Sequence, residues 1–189
     1  TPGEIIEQIV VVLNDVYGVA AETPHGTNLV AMGEGEPFLN FENLIRALEI
    51  MSDEDGLHIV PGRVTVSTAG IVPKIYEFAN LERRPNLAIS LSAANDDLRD
   101  KLMPINKRWP ISDLMQAAKA FERTLKRGER FTFEYVLLGG VNDSDGHAAE
   151  LAALIRDHGL KKVKVNLIPH NPAEQLDYFP SDPEQVKRF

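Results

Sequence analysis

Arg63-Val64-Thr65-Val66-Ser67-Thr68-Ala69-Gly70-Ile71-Val72-Pro73 decides the fold. Val64 and Val66 alternate with polar neighbours, as a strand facing a core requires, and small residues ending in Gly70 interrupt the extended run. Pro73 suits the first turn of a helix, predicted over residues 72–80. Strand, short loop and helix therefore follow one another within eleven residues.

The same unit recurs in both directions. Upstream, residues 29–32 are an apolar run that reads as a buried strand ending in Gly33-Glu34-Gly35-Glu36-Pro37, and Asn40 is placed to cap a helix over 41–51, where Leu44, Leu48 and Met51 recur at helical spacing. Thr1, Pro2 and Glu4 have the spacing of a capping box for a helix through residue 17. Downstream, residues 87–91 form a strand and 92–96 a loop. A short helix over 97–103 follows, then a longer one over 111–125 with Leu114, Ala117, Ala118, Phe121 and Leu125 on its apolar stripe. Residues 131–138 are a strand closed by Gly139-Gly140, residues 144–158 a helix ended by Gly159, and residues 163–168 the last clear strand. Pro169-His170-Asn171-Pro172 reads as a turn, the segment to 182 as irregular, and 183–189 as a helix with Ser181 and Glu184 at capping-box spacing.

Five strands, each separated from the next by at least one helix, predict an α/β fold with a parallel sheet and right-handed crossovers. The pattern is compatible with an open doubly wound sheet and with a barrel. No Gly-x-Gly-x-x-Gly turn follows the first strand, which weakens a dinucleotide-binding fold. A chain that starts on a helix, where the alternation wants a strand, suggests a strand left upstream. Its start without Met suggests a piece cut from something longer.

The 189 residues fit one domain, and 43% hydrophobic with 25% charged residues exclude disorder, collagen and coiled coil. The formal charge of -8 gives no support for nonspecific phosphate binding. Arg83-Arg84, Lys107-Arg108, Lys126-Arg127 and Lys161-Lys162-Lys164 read as solvated loops and helix ends, or as an RNA-facing rim if the fold gathers several of them. Zero cysteine excludes disulfides, zinc thiolate sites and cysteine nucleophiles within these residues. No run of about 18 apolar residues marks a membrane span, and the start lacks a signal peptide's basic and apolar regions, so a cytoplasmic location without membrane partners is expected.

In either parallel architecture the site lies on the loops beyond the carboxyl ends of the strands. Glycines at 33 and 35 let backbone approach a ligand, and Glu36 offers acceptors for an ammonium or ribose hydroxyls; the alternatives are a solvated tight loop or a divalent-cation site. Ser67 either bonds a ligand or caps a backbone amide. Ser90 and Ser92 face one way if the strand persists to 92. Asn171 either bonds the edge of a base or stabilises its turn. Asn142-Asp143-Ser144 reads first as a turn and helix cap, with a ligand role second. Glu134, inside an apolar strand, points inward to a partner or ligand, or outward to a helix salt bridge. His25, His58, His147, His158 and His170 are too dispersed for a metal site.

Taken in order, these segments resemble the radical S-adenosylmethionine methyltransferases of the RlmN and Cfr family, which modify an adenine ring carbon in RNA. The segments are Thr1-Pro2-Gly3-Glu4-Ile5, Gly33 to Asn40, Arg63 to Pro73, Ser90 to Asp100, Pro104-Ile105-Asn106-Lys107, Phe133 to Leu138 with Gly140-Val141-Asn142-Asp143, and Val165 to Pro169 with Asn171-Pro172. The resemblance implies that residues 1–189 are a partial radical SAM core domain, a (βα)6 barrel with its first strand missing. It implies cofactor contacts from Gly35 and Glu36, from Ser67, from Ser90, Leu91 and Ser92, and from Asn171. It further implies a [4Fe–4S] cluster on a Cys-x-x-x-Cys-x-x-Cys loop upstream of Thr1 and a methyl-carrying cysteine beyond Phe189. Neither sulfur element is in this chain, so no catalytic residue is assigned here and the piece itself is expected to be inactive, with S-adenosylmethionine binding weak.

For the whole protein the resemblance implies methylation of an adenine ring carbon, C2 or C8, in rRNA and also tRNA, through a radical formed on reductive cleavage of S-adenosylmethionine. The chain departs from the family pattern at Glu34, where Met is usual, at Ala69, where Ser is common, and at Ser92, where His is common. These changes make the rim more acidic, which weakens attraction to RNA and alters the cofactor's fit. The rival readings are a divalent-metal-dependent barrel lyase or aldolase using Glu36 and Glu134, and a noncatalytic degenerate homologue. An incomplete barrel leaves open edges, so self-association or a covering partner is expected.

Overall fold

The structure, a computed structural model, describes residues 1–18, 26–172 and 177–189. His25 lies outside them. Among the described residues twelve helices and strands follow the predicted order: α1 (Pro2–Tyr17), β1 (Leu29–Ala31), α2 (Phe41–Met51), β2 (Val64–Thr68), α3 (Val72–Ala79), β3 (Asn86–Ser90), α4 (Asp96–Leu102), α5 (Ile111–Thr124), β4 (Phe131–Leu137), α6 (Asp145–Asp157), β5 (Val163–Pro169) and α7 (Pro183–Arg188). Short 3-10 turns at Pro37–Asn40, Pro61–Arg63 and Pro104–Lys107 each begin on a proline, which fixes φ where no helical N–H partner is needed.

The sheet order is β1-β2-β3-β4-β5, with β1 on β2, β3 on β4 and β4 on β5 all parallel. A doubly wound sheet reverses direction at a switch point. This order is sequential throughout, as in a (βα)6 barrel short of one strand, and it decides between the two architectures the sequence left open.

The chain divides into two compact units, Thr1–Thr68 with Leu81–Leu87, and Ala69–Asn80 with Ala88–Phe189. In the first, the Thr1 capping box is formed: its hydroxyl accepts the Glu4 amide and the Glu4 carboxylate returns to the N-cap. α1 nevertheless buries none of its residues. α2 does the packing, burying Phe41, Leu44, Ala47, Leu48 and Met51, with Phe38 edge-on to Phe41 at 5.5 Å. Asn40 precedes α2 without capping it; its side-chain oxygen instead accepts from Asn43 Nδ2 at 2.6 Å. The 3-10 turn running into α2 has already occupied the first turn's geometry.

In the second unit, parallel register puts Ala88 beside Thr132 and Ser90 beside Glu134, and Glu134 beside Asn166. The alternate residues Ile89, Phe131, Phe133, Tyr135 and Leu137 are fully buried, together with Ile75 and Phe78 of α3 and Leu114, Ala117, Ala118 and Phe121 of α5. Phe78, Phe121, Phe131 and Phe133 form a chain of ring contacts at 6.2, 6.1 and 5.1 Å. One sheet face is thus an aromatic core, and the other carries the polar row Ser90, Glu134 and Asn166. At the chain's end, Asp182 caps α7 by accepting the Glu184 amide at 2.8 Å, whereas Ser181 is buried with its hydroxyl unpaired among the described residues. The expected Ser181 capping box therefore does not form: the cap falls one residue later, next to the exposed Pro183 that opens the helix.

Candidate functional site: the strand-end loops

In the first unit the loop after β1 is open. Gly35 has φ +87, and a Cβ built there would meet nothing within 4 Å, so its backbone can be approached closely by a ligand. Glu36 is half-buried, and its Oε1 accepts the Phe38 amide at 2.9 Å, capping the 3-10 turn. Ser67 lies two residues beyond Thr65, on the face of Thr65 and its register partner Val30, which is 64% exposed, so β1 is not the buried strand its apolar run predicts. Its hydroxyl makes no hydrogen bond among the described residues, and the N-cap of α3, Ile71, has no side-chain cap, so the backbone-capping alternative for Ser67 is not realised.

In the second unit the loop after β3 is tightly held. β3 ends at Ser90, and Ser92 has φ +53, a left-handed conformation uncommon for a residue with a side chain. The strand alternation expected to align Ser90 with Ser92 stops before Ser92. Three groups impose this turn. The Leu91 and Ser92 amides both donate to the Glu134 carbonyl, at 2.9 and 3.4 Å. Asn142 Nδ2 donates to the Ser92 carbonyl at 2.8 Å and to the Val136 carbonyl at 2.7 Å, while Asn142 Oδ1 accepts the Leu138 amide at 2.7 Å. Arg99, 0% exposed, donates from Nε to the Leu91 carbonyl (3.1 Å), from Nη2 to the carbonyls of Ser90 (3.0 Å) and Ala69 (2.8 Å), and from Nη1 to Asn106 Oδ1 (2.9 Å). Asn106 then donates to Asp96 and Asp100 at 2.8 and 2.7 Å. Burial lowers the Arg99 pKa to about 10 against the favourable charges of Asp96 and Asp100, so the guanidinium remains cationic at neutral pH.

The backbone of residues 90–92 is thus bonded on both sides. The hydroxyls of Ser90 and Ser92, by contrast, have no hydrogen-bond partner among the described residues. Beside them Glu134, 7% exposed, accepts from Asn166 Nδ2 at 2.7 Å, so it points along the polar row and the outward salt-bridge alternative is excluded. Asn142 is a fully buried structural knot, which also excludes its ligand role, while Ser144 caps α6 as predicted. Asn171 is exposed just beyond β5; next to it, His170 meets Tyr178 edge-on at 6.4 Å.

Arg99 and Asn106 carry this arrangement and have no assigned role in the sequence reading. The available signal was position: Arg99 falls on the helix stripe of Asn95 and Leu102, where a core-facing residue belongs. Among the described residues no group of three or more His, Asp or Glu side chains could hold a metal, so the divalent-ion reading of Glu36 and Glu134 finds no cluster to rest on. The chain's lack of cysteine likewise gives an iron–sulfur cluster no thiolate here.

S-adenosylmethionine calls for other groups than thiolates. In the first unit the backbone at Gly35 is open and the Ser67 hydroxyl unpaired; in the second the Ser90 and Ser92 hydroxyls are unpaired and the Asn171 side chain is exposed, each the kind of donor and acceptor a polar ligand takes.

Comparison with known proteins agrees with the fold. The chain is 50% identical over 187 residues to a probable dual-specificity RNA methyltransferase RlmN of Koribacter versatilis, covering 99% of this chain and 51% of that protein. It is 47% identical over 188 residues to the corresponding Bacillus mycoides protein, covering 99% and 49%. The crystal structure of a radical SAM methyltransferase from Sphaerobacter thermophilus superposes with a TM-score of 0.91 at 42% identity, covering 100% of this chain and 53% of that one. The chain therefore spans about half the length of these relatives. The Radical SAM superfamily model matches residues 7–152, and with the sequential parallel sheet and its strand-end loops this shows that the chain belongs to the radical SAM superfamily.

Proposed function

We propose that this chain is the cofactor-holding part of a radical SAM enzyme that methylates an adenine ring carbon, C2 or C8, in rRNA and also tRNA in the cytoplasm. The observation that carries the reading is 50% identity across 99% of the chain to a probable dual-specificity RNA methyltransferase. When bound, S-adenosylmethionine supplies the methyl group and the radical chemistry. The chain's own contribution is to bind and orient it. Gly35 allows close approach of backbone, Glu36 offers carboxylate acceptors, Ser67, Ser90 and Ser92 offer hydroxyls, and Asn171 an amide, while Leu91, fully buried, sets the turn between the two serines through its backbone. None of these residues is a cysteine, so none of them supplies a thiolate to an iron–sulfur cluster.

The test is to reconstitute the whole encoded protein with iron and sulfide, supply S-adenosylmethionine and a reductant, and digest rRNA and tRNA for mass spectrometry. A methyl group on an adenine ring carbon is the expected product; methylation elsewhere, or none, rejects the reading. For the chain by itself we infer weak cofactor binding and self-association. The latter is supported by α1, which buries nothing and exposes Val11, Val12, Val16 and Tyr17. A monomer by light scattering, without apolar-dye binding, would count against it.

A further inference from the structure

We infer that Arg99 is a positioning residue for S-adenosylmethionine: its buried guanidinium sets the conformation of the loop after β3, and thereby the direction of the Ser90 and Ser92 hydroxyls. The inference rests on the proposed cofactor contacts of that loop. Its evidence is the distribution of hydrogen bonds around Arg99.

One guanidinium reaches carbonyls of two separate segments, Ala69 after β2 and Ser90 with Leu91 at the end of β3. Only a planar fork with several fixed donors spans these acceptors together; a lysine ammonium is a single point on a flexible stem. A buried cation is costly, and Arg99 has no carboxylate among its own acceptors: Asp96 and Asp100 are reached only through Asn106. Its hydrogen bonds go instead to the two loop segments and to Asn106. The opposite side of the same backbone is held by the Glu134 carbonyl and by Asn142, which leaves Ser92 its left-handed φ. The packing is close as well. A Cβ on Gly70 would lie 3.3 Å from Arg99 Nη2 and 3.1 Å from Leu114 Cδ1. Three peptide groups are thus fixed while two hydroxyls stay unbonded, which is how a recognition loop is preorganised.

The test uses the whole encoded protein as wild type, Arg99→Lys and Leu151→Ala. Leu151 lies in α6 and is buried in the second unit, so its truncation lowers stability without removing any of the loop's hydrogen bonds. S-adenosylmethionine affinity is measured by calorimetry, and protection of the Leu91 and Ser92 amides by hydrogen exchange. Arg99→Lys is expected to weaken cofactor binding about tenfold, the equivalent of one lost anchor, and to remove protection at both amides. Leu151→Ala at matched melting temperature keeps affinity and protection.

Equal weakening in both variants would make Arg99 a stability residue and overturn the inference, as would unchanged affinity or retained protection in Arg99→Lys. No binding heat in the wild type overturns the cofactor reading and this inference together; wild-type heat with unaltered affinity in Arg99→Lys overturns the inference alone. If Arg99→Lys does not fold, Asn106→Ser removes one acceptor of the fork and is expected to give the same pattern at smaller scale, its absence again counting against Arg99.

Discussion

Gly35 and Gly70 occupy equivalent points, each a left-handed glycine in the loop following a strand, yet their surroundings differ completely. At Gly35, in the first unit, φ is +87 and the space a side chain would fill is empty; at Gly70, in the second, φ is +112 and that space is bounded by Leu114 and Arg99. The loop after β1 is shaped by local geometry, one carboxylate cap and two glycines. The segments after β2 and β3 are shaped by tertiary hydrogen bonds converging on one cation. A ligand can remodel the first at little cost and must accept the second as it stands.

The contrast can be broken most forcefully at its centre. Arg99→Met removes the guanidinium from the Ala69 and Ser90 carbonyls and from Asn106, and leaves the Leu91 carbonyl only the Ala93 amide, so about 3–5 kcal/mol of stability should be lost, measured by urea denaturation of the chain. The glycine pair sharpens it. Gly70→Ala should cost about 2–4 kcal/mol, combining left-handed strain with crowding, whereas Gly35→Ala should cost only the backbone portion, about 1–2 kcal/mol. Equal losses would mean that the crowding at Gly70 relaxes freely. Glu36→Ala should cost about 1 kcal/mol, the loss of a side-chain cap.

The smallest effect is with pH, and it again separates the units. Glu122, in the second unit, is pushed up by burial but pulled further down by hydrogen bonds from Lys119 and from the Lys162 and Lys161 amides, so its carboxyl titrates below the ordinary 4.5. A depressed folded value stabilises the native state above the unfolded pKa, and that contribution is lost as pH falls from about 4.5 through the folded value. Acid titration of the folded chain followed by circular dichroism should show a shallow loss in that window, reduced in Glu122→Gln.

The order of strands and helices was legible because each strand and each packed helix has apolar residues at its own period, from Val64 and Val66 to the stripe of α5. The open loop after β1 was legible for a similar reason: Gly35 and Glu36 act through local backbone geometry. The held loop after β3 was not. The turn at Ser92 is fixed by the carbonyl of Glu134 and the amide of Asn142, which lie 42 and 50 positions away, and no local propensity announces a left-handed serine. Arg99 in sequence is one more arginine among acidic neighbours; only the arrival of carbonyls 69, 90 and 91 makes it a core residue. Ser181 and Asp182 show the finer limit, since two good caps in succession are told apart only by the path of the chain.

The Asn142 knot includes an optical reporter. Tyr135 is buried and its hydroxyl donates to the Asn142 carbonyl at 2.9 Å; burial first, and then the charges of Glu150 and Asp143, drive its pKa well above the ordinary value. In alkaline difference spectroscopy its phenolate band must therefore emerge late while the knot is intact. An early band from this ring would signal, without any ligand or radical chemistry, that the end of β4 had come undone.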